Sequence, residues 1–119
     1  MNLIDNTIEE SLLALKEEKY KLRMYQVELT LQISSDYGVE ETLQDIRSLP
    51  GVTVVTALNS AYRQASRNYT SLVRVKFHPQ LDSMSAQKYI TDILLPAIKN
   101  DSIIPGTTLL RDRKPEKIQ

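Results

Sequence analysis

The sequence predicts an α+β domain in which two βαβ halves share one antiparallel sheet, with an additional helix in front. Three observations predict it. In "YQVELTLQI", Tyr25, Val27, Leu29, Leu31 and Ile33 alternate with Gln26, Glu28, Thr30 and Gln32. In "YTSLVRVKF", Val73, Val75 and Phe77 alternate with Arg74, Lys76 and, one residue on, His78. Such a period of two buries one face of a strand and wets the other. The third observation is a repeated punctuation. "LPGVTVV" (Leu49 to Val55) and "IPGTTLL" (Ile104 to Leu110) each run apolar, Pro, Gly and then a β-branched or apolar stretch. Every position of one lies 55 residues from its counterpart in the other.

The elements follow in order. "TIEE" at Thr7 to Glu10 is a capping box, in which Thr7 and Glu10 satisfy each other's backbone N–H groups. Ile8, Leu12, Leu15 and Lys19 then share one stripe, with Leu13 beside it, so a helix is expected from about Thr7 to Lys21. Tyr25 to Ile33 is the first strand, and "SSDYG" turns the chain. Val39, Leu43 and Ile46 sit at i, i+4 and i+7, which predicts a helix. Pro50-Gly51 stops it, because Pro cannot continue a helix and Gly accepts unusual φ. "VTVVTALN" is a second strand, Ser60 to Asn68 a polar loop, and "YTSLVRVKF" a third strand. A third helix is expected from about Ser83 to Lys99, with Ile90, Ile93, Leu94, Ala97 and Ile98 inward and Pro96 kinking it or marking a break before its last turn. "SIIPG" ends that helix and "TTLLR" is a short fourth strand.

This order, α then βαββαβ, is the split-βαβ or ferredoxin-like arrangement: a sandwich of helices on a four-stranded antiparallel sheet. Right-handed crossovers would place both helices on one sheet face. The expected spatial order is fourth, first, third, second strand. Gln26, Glu28, Thr30 and Gln32 would then face the open side with Arg74, Lys76 and His78. Glu28 could pair there with Arg74 or Lys76 across the strands. The chain divides into an N-terminal helical arm (1–22), the βαββαβ domain (23–111) and a charged C-terminal tail (112–119).

Composition narrows the function. The 119 residues suit one domain with a single core. Cysteine is absent, which removes disulfides, zinc–thiolate sites and a Cys nucleophile. No apolar run approaches the ~20 residues that cross a bilayer, so no membrane association is expected. The N-terminus lacks a basic flank followed by an apolar core, so no secretory signal is expected. Net charge is zero but unevenly spread: residues 1–50 hold ten acids and five bases, and residues 51–119 hold five acids and ten bases. A chain polarised in this way can dock acidic surface to basic surface, on itself or on a partner.

No constellation for catalysis is legible. His78, the single histidine, stands at a strand end with no nucleophile motif around it. One His, no Cys and no paired carboxylates at ligand spacing give no metal site, and no Gly-rich loop suggests a cofactor. The open face lacks the paired aromatics of an RNA-stacking sheet. Arg63, Arg67, Arg74 and Lys76, then Arg111, Arg113, Lys114 and Lys117, form a basic set that could meet phosphate, although a solubilising loop and tail explain it more simply.

Two resemblances add to this reading. "SDYGVEETLQDIRSLPGVTVV" looks like the opening of an ACT regulatory domain, with Asp36, Gly38 and Gly51 in the corresponding places. That resemblance implies an amino-acid site at Asp36, Tyr37 and Gly38, although no Pro precedes the Gly as it does in the family. Across residues 7–111 the chain also resembles small proteins encoded by marine tailed phages. The motifs are the polar first helix, a "Y-x-V" strand, "DIRSLPGVTVV", "VRVKFHP" and the final "IPG" strand. This resemblance implies virion structure, as a capsid decoration or minor structural subunit.

The expectation is therefore a non-enzymatic structural protein of a virion, assembled in host cytoplasm and acting through protein–protein contacts with itself or other virion proteins. Leu12 and Leu15 on the arm would make the contacts, with Arg63, Arg67, Arg74, Lys76, Arg111 and Arg113. No catalytic, cofactor or metal residue is assigned. The alternatives are an ACT-like ligand-binding module and a phage nucleic-acid-binding accessory protein.

Overall fold

The computed structural model describes residues 23–79 and 84–118. The expected first helix, with Leu12 and Leu15, lies outside the described residues.

Strand β1 (Tyr25–Ser34) and strand β3 (Asn68–Phe77) form the centre of the sheet. Their alternation is read directly as burial. Val27, Leu29, Leu31 and Ile33 are buried on β1, and Ser71, Val73, Val75 and Phe77 on β3. The two strands are antiparallel with unbroken register, which sets Glu28 opposite Arg74 and Gln26 opposite Lys76. Strand β2 (Val52–Arg63) pairs antiparallel with the other side of β3, and strand β4 (Thr107–Asp112) with β1. The observed order is β2-β3-β1-β4, in a mixed α/β architecture with one antiparallel sheet.

The sheet has five strands, not four. After β4 the chain turns through residues 113–115 and adds β5 (Glu116–Lys117) against Tyr25 and Gln26. The reason is coverage. Strand β4 spans only Leu29 to Ile33 of β1, so the first residues of β1 present unpaired backbone groups on that side. Arg113 N donates to Glu28 O at 3.1 Å and Ile118 N to Met24 O at 2.9 Å, carrying the ladder to the end of β1. What the sequence presents as a charged tail is thus partly sheet.

Helix α1 (Val39–Arg47) carries Glu40 and Glu41 in its first turn and Arg47 in its last, each sign matched to the helix dipole. It buries Thr42, Leu43 and Ile46 on the sheet. The second helical rod has three parts: α2 (Ala86–Tyr89), a π-helical turn (Ile90–Leu94) and α3 (Leu95–Ile98). Ser85 caps it, accepting from Lys88 N at 3.1 Å. The π turn sits just before Pro96, which has no N–H for the carbonyl four residues back; widening the preceding turn accommodates that loss. The extra residue also keeps Ala86, Tyr89, Ile90, Leu94, Ala97 and Ile98 all buried. Ile93 is only partly buried.

The Pro-Gly pairs are one structural device used twice. Gly51 has φ 85° and Gly106 has φ 68°, both in the left-handed region that favours glycine. The Gly51 carbonyl accepts from His78 N at 2.9 Å, just past β3. The Gly106 carbonyl accepts from Ser34 N at 2.8 Å, at the end of β1. In each half, glycine reverses the chain and docks the coming strand onto a central strand. Tyr89 ties the first of these turns to the core. Its ring stacks on Phe77 at 4.6 Å, and its hydroxyl donates to the Pro50 carbonyl.

The expected polar loop at Ser60 to Asn68 is mostly strand. β2 continues to Arg63, leaving a four-residue turn at 64–67 in which Arg67 takes φ 55°. Side-chain polarity hid this extension. Cross-strand pairs hold it instead: Ser60 with Ser71 at 2.8 Å, and the Tyr62 and Tyr69 rings at 5.2 Å.

Candidate interaction surface

Both helical elements pack against the sheet face that carries Val27, Leu29, Val73 and Val75. The opposite face is built from the even-numbered positions of β1 and their register partners. Its middle row is Thr56, Arg74 and Glu28, and its next row is Asn59, Leu72, Thr30 and Arg111. Glu28 organises the charges. Its Oε1 accepts from Arg74 Nη2 at 3.0 Å, and its Oε2 lies 3.6 Å from Arg113 Nη1. Of the two partners expected for Glu28, the register selects Arg74; Lys76 stands opposite Gln26 and Val54. Arg113 is an addition that the sequence did not indicate. It reaches Glu28 because the backbone bond from Arg113 N to Glu28 O holds the turn after β4 beside β1.

Glu28 and Arg74 are partly covered, with side chains 22% and 36% exposed. A cross-strand pair in that setting contributes about 0.2–1 kcal/mol. The Arg113 contact is longer and more exposed, so it adds less. Arg74 Nε is buried with no acceptor among the described residues, an offsetting cost to the pair. Gln26, Glu28, Arg113, Lys114 and Glu116 line a shallow polar cleft of about 80 Å³ beside this cluster.

The remaining expected contact residues fall in two places. Arg63 and Arg67 lie at the tip of the β2–β3 hairpin, both exposed, with Arg63 opposite Asn68. Arg111 lies exposed on β4 opposite Thr30. The structure therefore brings Arg74, Arg113 and, on the same face, Lys76 and Arg111 together around β1, and sets Arg63 and Arg67 apart.

Strand β2 forms one edge of the sheet. Three large apolar side chains are exposed along it: Val54 (45%), Leu58 (40%) and Tyr62 (51%). Leu58 stands at a bulge between Ala57 and Asn59, where it has no partner in the β3 register. Val55 O accepts from Arg47 Nη2 at 3.0 Å, so α1 supplies one side-chain donor to this strand. Arg47 is itself braced by Glu40 at 2.9 Å.

The turn at Asp36, Tyr37 and Gly38 has its backbone N–H groups and the Tyr37 hydroxyl engaged locally. Asp36 N donates to Ser34 Oγ at 3.3 Å, and Tyr37 N and Gly38 N both donate to Ser34 O. The Tyr37 hydroxyl donates to Asp45 Oδ2, and that bond to a carboxylate raises the Tyr37 pKa. Gly38 is required here by φ 103°. His78 is half-buried at the end of β3. Among the described residues there is no group of three or more His, Asp and Glu placed to hold a metal ion, and no helix long and apolar enough to cross a membrane.

No protein-family model, curated protein or solved structure matches this chain.

Proposed function

We propose that this protein is a non-enzymatic structural subunit, a virion component that acts through protein–protein contacts, on a ferredoxin-like βαββαβ scaffold. The element order and the β2-β3-β1-β4 sheet support the scaffold assignment. One observation carries the functional reading: the character of the β2 edge. Natural edges are usually guarded by Lys, Pro or inward charges. Strand β2 holds no Pro, no Lys and no charge before Arg63 across its 12 residues. It exposes Val54, Leu58 and Tyr62 and runs to a tip carrying Arg63 and Arg67. An edge of this kind suits addition of a partner strand, with main-chain bonds supplying affinity and the flanking side chains specificity. Tyr and Arg are the residue types most enriched where interfaces concentrate their binding energy.

The test is incorporation into particles. Arg63→Glu/Arg67→Glu reverses the tip charge without touching the core. The variant should fold with an unchanged far-UV spectrum and be recovered in purified particles at a small fraction of the wild-type level. Recovery equal to wild type would remove the tip from the contact and the main support for this reading.

A further inference from the structure

Five cations gather around β1, away from the β2 edge. Lys76 stands opposite Gln26, Arg74 opposite Glu28 and Arg111 opposite Thr30, so all three belong to the sheet face that the helices leave open. Arg113 reaches that face through Glu28 Oε2, and Lys114 lines the polar cleft beside it. Two carboxylates accompany them, Glu28 and Glu116; Asp112, opposite Leu29, belongs to the other face by register. Glu28 already serves Arg74 and Arg113. No carboxylate among the described residues pairs with Lys76, Arg111 or Lys114. A solubilising loop and tail do not account for this set, because Arg74 and Lys76 lie in a central strand and β5 holds the tail against β1.

We infer that this face binds the phosphate backbone of a double-stranded nucleic acid. Three features select that partner. The cluster is net positive, with five cations against two carboxylates, so it attracts a polyanion. Its middle is polar: Thr56, Asn59 and Thr30 share the rows of Arg74 and Arg111, where Leu72 is the single apolar residue. Protein–protein interfaces deplete charge and enrich aromatic rings at their centre, whereas nucleic-acid interfaces are more polar and far more basic. No aromatic ring stands in these rows, so the face offers no platform for the unstacked bases of a single strand. What it can recognise is the backbone of a duplex, which carries one phosphate per about 1.7 Å of axis. The cations are spread to meet several of them. Lys76 and Arg111 are separated by about 14 Å along β1 and about 10 Å across the strands. Backbone contacts carry no sequence information, so binding is independent of sequence. The surface is separate from the β2 edge and the Arg63–Arg67 tip, so it stands or falls apart from the particle reading.

Fluorescence anisotropy of labelled DNA and RNA duplexes with the full-length chain is the test, and binding to either duplex supports the inference. Phosphate contacts by Lys76, Arg111 and Lys114 give log affinity a slope of about −2.7 against log salt for B-DNA. Affinity for a DNA duplex of about 20 base pairs should then fall roughly 40-fold between about 50 and 200 mM salt. Lys76→Glu/Arg111→Glu should weaken binding by roughly tenfold or more at low salt and make the slope shallower by about 2. Lys88→Glu/Lys99→Glu makes the same change of charge on the exposed side of the helical layer and should leave the slope unchanged. Lys76→Gln/Arg111→Gln gives the same shallower slope if the charge-reversed variant does not fold. Absence of binding at low salt, a flat salt response, or equal losses in the two charge-reversed variants overturns the inference. Tighter binding of a single strand of equal length overturns it in favour of unpaired bases. Tighter binding of poly-L-glutamate overturns it in favour of an acidic protein.

Discussion

Removing one oxygen from Tyr89 should change how stability depends on pH. Tyr89 is fully buried, its ring is stacked on Phe77, and its hydroxyl donates to the Pro50 carbonyl at the first Pro-Gly turn. Burial pushes its pKa up from 10.0 to about 12. The folded state therefore holds the proton more tightly than the unfolded state does. As pH rises above 10 the unfolded chain ionises first, and stability falls until pH passes the folded value of about 12. At about 1.4 kcal/mol per pKa unit, that loss is on the order of 2–3 kcal/mol. In Tyr89→Phe the ring and its stacking remain, and the hydrogen bond goes. The variant should lose about 1 kcal/mol at neutral pH, the net value of one such bond. It should also lack the alkaline loss that Tyr89 contributes. The two stability curves should then cross between about pH 10 and 11, where the wild type has lost as much as the variant. Urea unfolding followed by circular dichroism from pH 7 to 11.5 measures both curves. The other tyrosines are common to both proteins, so the difference isolates this group. A gap that stays constant with pH would refute the argument that burial holds Tyr89 neutral.

Other outcomes follow from the same structure. Gly51→Ala should cost about 2–4 kcal/mol, because a left-handed backbone is combined with a Cβ 2.5 Å from the His78 carbonyl. Gly106→Ala meets nothing closer than Ser34 Cβ at 3.2 Å, so it should cost about 1–2 kcal/mol; equal costs in chemical denaturation would refute the assignment of the backbone contact. A double-mutant cycle on Glu28→Gln and Arg74→Met should give a coupling of about 0.2–1 kcal/mol that shrinks at high salt. A coupling insensitive to salt would contradict a half-exposed ion pair. Ile46→Ala, at a fully buried site under α1, should destabilise by about 2–5 kcal/mol, and a smaller loss would mean that the helix is not seated as described.

What was legible in the sequence depended on whether burial left a pattern in side chains. β1 and β3 are each buried on one face only, so Val27 to Ile33 and Val73 to Phe77 print a period of two. That parity also put Glu28 and Arg74 on the same face before any register was known. The two Pro-Gly turns were legible because the backbone there needs glycine. Structure held by main-chain bonds was not legible. β5 is two charged residues whose pairing with Tyr25 and Gln26 follows from a gap left by β4. Arg113 looks like tail in the sequence for the same reason, although its backbone N–H fixes it beside Glu28. The far half of β2 looks like loop in the sequence because Ser60 and Tyr62 are held by cross-strand partners, which leave no period of two in the side chains. The π turn before Pro96 is legible only as a kink or break, since sequence marks the proline and not how the helix absorbs it.

The proposal that this chain is a structural subunit of a virion is tested most directly by quantitative mass spectrometry of gradient-purified particles from the source that expresses it. The account predicts recovery at a fixed ratio to the major particle protein, retained after a high-salt wash because strand addition rests on main-chain bonds and apolar contact. Its absence from particles that are otherwise complete would contradict the account.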